Sequence, residues 1–130
     1  MRIVRIIKRL AKVPTVWWNL QRCNHSLKTI GYKVTATKSW SNSLECFTQA
    51  EIIQIHSIAG RLSPWTTCLR RSLLLKDDIQ SIGKQAALVR GVMQGPNNKM
   101  LLHAWVEAEG KVVGDNVNYV SKYSKINDEV

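Results

Sequence analysis

The sequence predicts an α+β domain in which N-terminal helices are followed by an antiparallel sheet. Three observations predict it. Apolar residues recur at helical spacing from Ile3 to Ile79. The period then shortens to two between Ala86 and Val117. Turn residues, Gly95-Pro96-Asn97-Asn98 and Glu109-Gly110, separate the alternating runs. A chain of 130 residues fits one domain, read here as a helical region 1–47, a core 48–120 and a polar tail 121–130. That length can bury about two-thirds of the unfolded surface, so the fold needs neither a disulfide nor a metal. A hydrophobic share of 45% and a charged share of 22% exclude whole-chain disorder. No apolar run approaches the roughly 18 residues of a membrane span.

The elements follow in order. Ile3, Ile6, Ile7 and Leu10 form a stripe at helical spacing, with Arg2, Arg5, Arg9 and Lys12 on the other side. We read a surface helix over 2–12 whose stripe faces the core, although a basic amphipathic helix can also lie on a membrane. Pro14 breaks the pattern. A second helix is expected over 15–30, with Val16, Leu20, Leu27 and Ile30 apolar, Trp17 and Trp18 adding bulk, and Gly31 as its stop. Residues 33–46 read as loop or short strand. Thr48-Gln49-Ala50-Glu51 is a capping box opening a third helix, with Ile52, Ile55, Ala59 and Leu62 on one side and Ser63-Pro64 at its end. A fourth helix runs from Thr66–Cys68 to Ile82, closed by Gly83. Strands are expected over 86–93, 100–107 and 112–117, and the tail from Ser121 is expected to fray.

Charge narrows the partners. Lys and Arg number 19 against 9 Asp and Glu, a formal charge of +10. Residues 1–65 hold 10 basic and 2 acidic side chains, residues 66–130 hold 9 and 7. Such a field suits an acidic partner, a nucleic acid or an anionic membrane. The basic residues carry no interleaved aromatic pattern and no nucleic-acid motif, so a nucleic-acid-binding module stands only as an alternative. Cys23, Cys46 and Cys68 form an odd, sparse set without CxxC spacing. That argues against structural zinc and for a reducing, cytoplasmic compartment. Basic residues interrupt every apolar run of the N-terminus, leaving no secretory h-region.

Cys68 carries the chemistry. At the start of a helix, unpaired N–H groups and the helix dipole favour thiolate over thiol and can steady an oxyanion. A nucleophilic cysteine needs a base, and His103 lies in the apolar run Met100–Val106, where it needs a polar partner. The base needs an orienting acceptor. If Ala108-Glu109-Gly110 is a three-residue loop, Glu107 pairs with Lys111 and His103 falls opposite Asp115 on the same side, with Cβ atoms about 4.5–5.5 Å apart. A two-residue loop would instead pair Asp115 with Ala104 and turn it to the other side. Glu107 lies four positions along the strand from His103, about 13 Å away. Cys23 and Cys46 are read as inert thiols, and His25 and His56 as surface or capping residues. Trp65 and Trp105 are placed beside the nucleophile, packing there or lining a substrate cleft.

The run Ser63-Pro64-Trp65-Thr66-Thr67-Cys68-Leu69-Arg70-Arg71-Ser72-Leu73 resembles the nucleophile segment of lasso-peptide leader peptidases. So do Leu88–Val92, His103-Ala104-Trp105-Val106-Glu107 and Gly114-Asp115. The resemblance spans residues 52–116 and implies a transglutaminase-like core related in plan to papain-like cysteine peptidases. It implies removal of the leader from a ribosomally made precursor, with Cys68 as nucleophile, His103 as general base and acid, Asp115 as orienting residue, and no cofactor or metal. It also implies a separate leader-recognition protein, since the helical N-terminal region does not match a winged, strand-rich recognition domain, and an ATP-dependent cyclase acting on the freed core peptide. Some papain-like enzymes place a side-chain amide in the oxyanion site; Gln49 and Gln54 lie upstream of Cys68 outside any matching motif, so the oxyanion role is assigned to backbone N–H groups. A transglutaminase-like acyltransferase is the alternative within this fold. The basic N-terminal half is expected to dock the recognition protein or an acidic leader through Arg2, Arg5 and Arg9.

Overall fold

The computed structural model describes residues 2–22, 27–30, 33–36, 42–64 and 66–126. Its helices are α1 Arg2–Arg22, α2 Gln49–Arg61, α3 Cys68–Ser81 and the short α4 Val117–Val120. Its strands are β1 Leu27–Ile30, β2 Lys33–Ala36, β3 Ala86–Gln94, β4 Met100–Ala108, β5 Lys111–Val113 and β6 Ser124–Lys125. β1 and β2 form a separate antiparallel hairpin; the other four strands form one antiparallel sheet in the order β5-β4-β3-β6. Helices preceding an antiparallel sheet are the α+β arrangement that the sequence predicts.

The alternation of β4 divides the core. Val106 and Ala108 face the helices, where Val16 and Leu20 of α1, Ile52, Ile55 and Ala59 of α2, and Leu74, Leu75 and Ile79 of α3 bury their side chains. Trp105 points the other way and packs with Val120 and Tyr123. The turns are where their residues demand. Thr48 and Glu51 close the capping box, the Glu51 N–H donating to Thr48 Oγ1 at 3.2 Å and the Thr48 N–H to Glu51 Oε1 at 3.0 Å. Gly83, at φ +81°, ends α3.

The N-terminal region departs from expectation in three ways. First, α1 runs through Pro14 as one helix. Val13, Val16 and Leu20, on both sides of the proline, are buried, and packing this face outweighs one missing backbone hydrogen bond. Pro14→Ala is therefore expected to stabilise the protein by about 1–3 kcal/mol, read as a higher denaturant midpoint at unchanged slope.

Second, the stripe Ile3, Ile6, Ile7 and Leu10 faces outward, each residue about half exposed or more. Val13, Val16 and Leu20 continue the face of Arg5 and Arg9 instead, about a third of a turn round the helix. Arg5 and Arg9 meet α2: Arg5 Nε donates to Glu51 Oε2 at 3.2 Å, Arg9 Nε lies 3.4 Å from the same oxygen, and a second Arg9 nitrogen donates to Gln54. Hydrogen bonding from the Thr48 backbone, together with the Arg5 guanidinium, overcomes the opposing effect of burial and holds the Glu51 carboxyl below its ordinary range. Arg5 and Arg9 thus join two helices of the fold, and reversing their charge would disturb that packing, not only an outward docking face.

Third, Leu27–Ile30 is a strand, not the end of a helix, and pairs with Lys33–Ala36. Thr29, Ile30, Val34 and Thr35 are β-branched and favour the extended chain. Gly31, expected as a helix stop, lies outside the described residues, as do Cys23 and His25.

Candidate active site

The site begins at the start of α3. The Thr66 hydroxyl and N–H both donate to the Ser63 carbonyl, and Thr67 caps the helix by accepting the Arg70 N–H at 3.2 Å. Cys68 is therefore the first helical residue. Its sulfur accepts the backbone N–H of Ala104 at 3.4 Å, and Ser72, one turn later, donates its hydroxyl to the Ala104 carbonyl at 3.2 Å. Both main-chain groups of Ala104 are taken by α3 for a topological reason. β5 pairs with β4 only as far as Val113 opposite Val106, so no strand reaches the next position of the ladder. The early end of β5 leaves the Ala104 peptide open, and the helix carrying the nucleophile occupies it.

The hairpin register differs from the one expected. Ala108 pairs with Lys111 across a two-residue turn, Glu109 and Gly110, both at positive φ. This is the commonest tight hairpin geometry, and it shifts every pair by one. Continued as a strand, β5 would set Asp115 opposite Ala104 and turn its side chain from His103. It does not continue. Gly114, at φ +72°, turns the chain out of the ladder. Asp115 then reaches back, placing Oδ2 2.5 Å from His103 Nε2. Its other oxygen accepts the Asn116 N–H at 2.7 Å, so the carboxylate is held at both atoms.

Beyond Asp115, the expected third strand over 112–117 and the frayed tail give way to an ordered clasp. Asn116 caps α4, its side chain accepting the N–H groups of Asn118 and Tyr119. Tyr119 and Tyr123 join hydroxyls at 2.7 Å and put their rings against His103, each with its centroid 5.3 Å away. Trp105 stacks on His103 from along β4, at 5.9 Å and 28°. β6 then pairs with β3 at Gly91 and Val92. Lys125 bonds Glu107, which also accepts the Trp105 indole N–H at 3.0 Å. Burial opposes ionisation of Glu107, but these two donors outweigh it and keep the carboxyl below its ordinary range. Residues 127–130 lie outside the described residues.

The clasp has a pH signature. Tyr123 is pushed up to about 12 by the hydrogen bond with Tyr119, by burial, and by the neighbouring charges of Tyr119, Cys68 and Asp115. The fold thus favours the neutral phenol. Its contribution is complete below the unfolded value near pH 10 and is lost as pH rises toward 12. We expect stability to fall over that interval. Tyr123→Phe should lose the hydroxyl bond but flatten this alkaline limb, as followed by denaturant midpoints between pH 9 and 12.

Cys68, His103 and Asp115 line one cavity, together with His56, Arg71 and Ser72. With Nε2 engaged by Asp115, Nδ1 is the imidazole nitrogen left for a second proton transfer. Trp105 borders this cavity but is 1% exposed and supports the His103 ring; Trp65 lies outside the described residues. Gln49 and Gln54 are not among its lining residues. Cys46 is an exposed free thiol.

His56 is not a surface or capping residue. It is buried, and its Nε2 lies 2.6 Å from Asp78 Oδ2. Asp78 also accepts from Asn42, and Asn42 from Asn19, so a polar ladder crosses the core from α3 to α1. The available signal was position: His56 shares a helix face with Ile52 and Ala59, and a buried ring nitrogen needs a partner.

Among the described residues, no three His, Cys, Asp or Glu side chains converge as metal ligands, and no helix is long and apolar enough to cross a membrane. No curated protein and no solved structure matches the chain. The sequence profile described as the Transglutaminase-like superfamily matches residues 9–128.

Proposed function

The chain belongs to the transglutaminase-like superfamily, and from that premise we propose that it is a cysteine peptidase that removes the leader from a ribosomally made lasso precursor peptide. The superfamily includes cysteine peptidases and acyltransferases. One observation carries the catalytic part of the reading. Cys68 and His103 line one cavity, and Asp115 holds the face of His103 that a proton relay does not use.

The reaction proceeds through a thioester. His103 Nδ1 takes the Cys68 proton as the sulfur attacks the carbonyl carbon of the last leader residue. Backbone N–H groups in the first turn of α3 face the resulting oxyanion. The tetrahedral intermediate collapses, the C–N bond breaks, and His103 returns its proton to the departing amine, the new N-terminus of the core peptide. Water then gives a proton to His103 and adds to the thioester. Cleavage of the C–S bond releases the leader acid and restores the thiol. Asp115 stays ionised and fixes the ring throughout. In this reading a separate leader-recognition protein delivers the precursor in the cytosol, and an ATP-dependent cyclase consumes the freed amine.

The test combines the protein with the precursor and recognition protein and follows free leader by mass spectrometry. Unaltered protein should release it, and Cys68→Ala should not. Undiminished release by the variant would overturn the mechanism. An amide in place of free acid, when an amine is supplied, would assign acyl transfer instead.

A further inference from the structure

The cavity holds a charge that the mechanism does not use. Arg71 lies on its wall, three residues after Cys68 and so on the same side of α3. Its stem runs across Gly60 of α2: a Cβ there would come within 3.2 Å of Arg71 Cδ and 3.5 Å of Nη1. The missing side chain of Gly60 is therefore the seat that positions the guanidinium. Arg5 and Arg9, packed between α1 and α2, share Glu51, whereas Arg70, adjacent on α3, has a buried Nε without a partner among the described residues and is not among the cavity's lining residues. The Arg71 side chain is exposed and has no hydrogen bond or ion pair among the described residues; its backbone N–H donates to the Thr67 carbonyl. The carboxylate that lines the same cavity, Asp115, is engaged by His103 and by the Asn116 N–H. A guanidinium seated without a counterion, beside the nucleophile, suits a planar anion brought by the substrate.

We propose that Arg71 is a substrate-binding residue that takes a peptide carboxylate, an acidic side chain close to the scissile bond, into the Cys68 cavity. The proposal deepens the peptidase reading by naming a substrate feature. Its test uses only the thiol, so the two can fail separately.

Iodoacetate and iodoacetamide alkylate sulfur alike but differ in charge. Each is reacted with the whole protein, and Cys68 and the exposed Cys46 are quantified separately by peptide mass mapping. Relative to Cys46, Cys68 should favour iodoacetate over iodoacetamide. That preference should fall about tenfold in Arg71→Gln and largely return in Arg71→Lys. In the unaltered protein, succinate should slow iodoacetamide at Cys68 and not at Cys46, whereas succinamide should protect neither. A preference unchanged in Arg71→Gln, or equal protection by succinate and succinamide, overturns the proposal. The competition arm needs no substitution, so equal protection by succinate and succinamide overturns the proposal even if the variants fail to fold.

Discussion

Under the proposed peptidase activity, Asp115→Ala is expected to lower leader release by about 10²–10⁴-fold, with the melting temperature changed by only a few degrees. The size follows from what the carboxylate does. It is the only hydrogen-bond partner of the His103 ring among the described residues, and it engages Nε2, leaving Nδ1 for the thiol. Without it the ring can rotate among its aromatic neighbours and either nitrogen can hold the proton, so a fraction of molecules presents the wrong tautomer. Stability should change little because the Asp115 side chain is partly open to solvent, and exposed ion pairs contribute about 0–1 kcal/mol. Asp115→Asn separates the two parts of the role. Its amide oxygen can accept the same N–H, so orientation survives while the charge opposite the imidazolium is lost. We therefore expect Asn to recover part of the activity that Ala loses, as measured by turnover of one precursor under saturation. Equal losses for both variants would mean that charge alone matters. No loss in either would remove Asp115 from the site.

Much of this arrangement was legible in the sequence, and the parts that were not share a cause. Local chemistry announced itself: the Thr48–Glu51 box, the stop at Gly83 and the start of α3 at Cys68 each depend on residues within one turn of one another. Residue types and strand alternation predict a shared site for Cys68, His103 and Asp115; the three line one cavity, and Asp115 bonds the His103 ring. The route to it was not legible. Asp115 was expected to reach His103 as a cross-strand partner under a three-residue loop. It arrives under a two-residue loop because Gly114 turns the chain off the strand. A glycine at positive φ reads in sequence as a break, but where the break sends the next side chain depends on tertiary contacts. The pairing of Arg5 and Arg9 with Glu51 was hidden for the same reason: hydrophobic periodicity chose the stripe at Ile3, Ile6, Ile7 and Leu10, while the helix turned the face continuous with Val13, Val16 and Leu20 toward the core. The clasp formed by Tyr119 and Tyr123 lies in a segment whose polarity suggests a frayed end, yet Val120 and Tyr123, buried against Trp105, anchor it while its other residues stay largely exposed.

The second large effect concerns a residue with no functional group. Gly91 sits in β3 directly across from His103 and beside Lys125 of β6. A Cβ at this position would lie 2.7 Å from one ring carbon of Trp105 and 2.9 Å from Tyr123 Cβ, closer than carbon atoms approach in packed proteins. Alanine is otherwise welcome in a strand and restricts the unfolded chain, a gain of about 0.4–1 kcal/mol. Here the clash prevails, because Trp105 is buried and Tyr123 is tied to Tyr119, so neither ring can step aside without breaking contacts. We expect Gly91→Ala to destabilise the protein by about 1–3 kcal/mol, lowering the melting temperature by roughly 4–12 °C. The same rings bracket His103, so their displacement should also lower turnover in the molecules that remain folded. Trimming the obstacle tests the cause: Trp105→Phe in the Gly91→Ala background should cost less than it does alone, giving a favourable coupling in a double-mutant cycle. Strictly additive losses would show that the glycine is needed for some reason other than room for the indole.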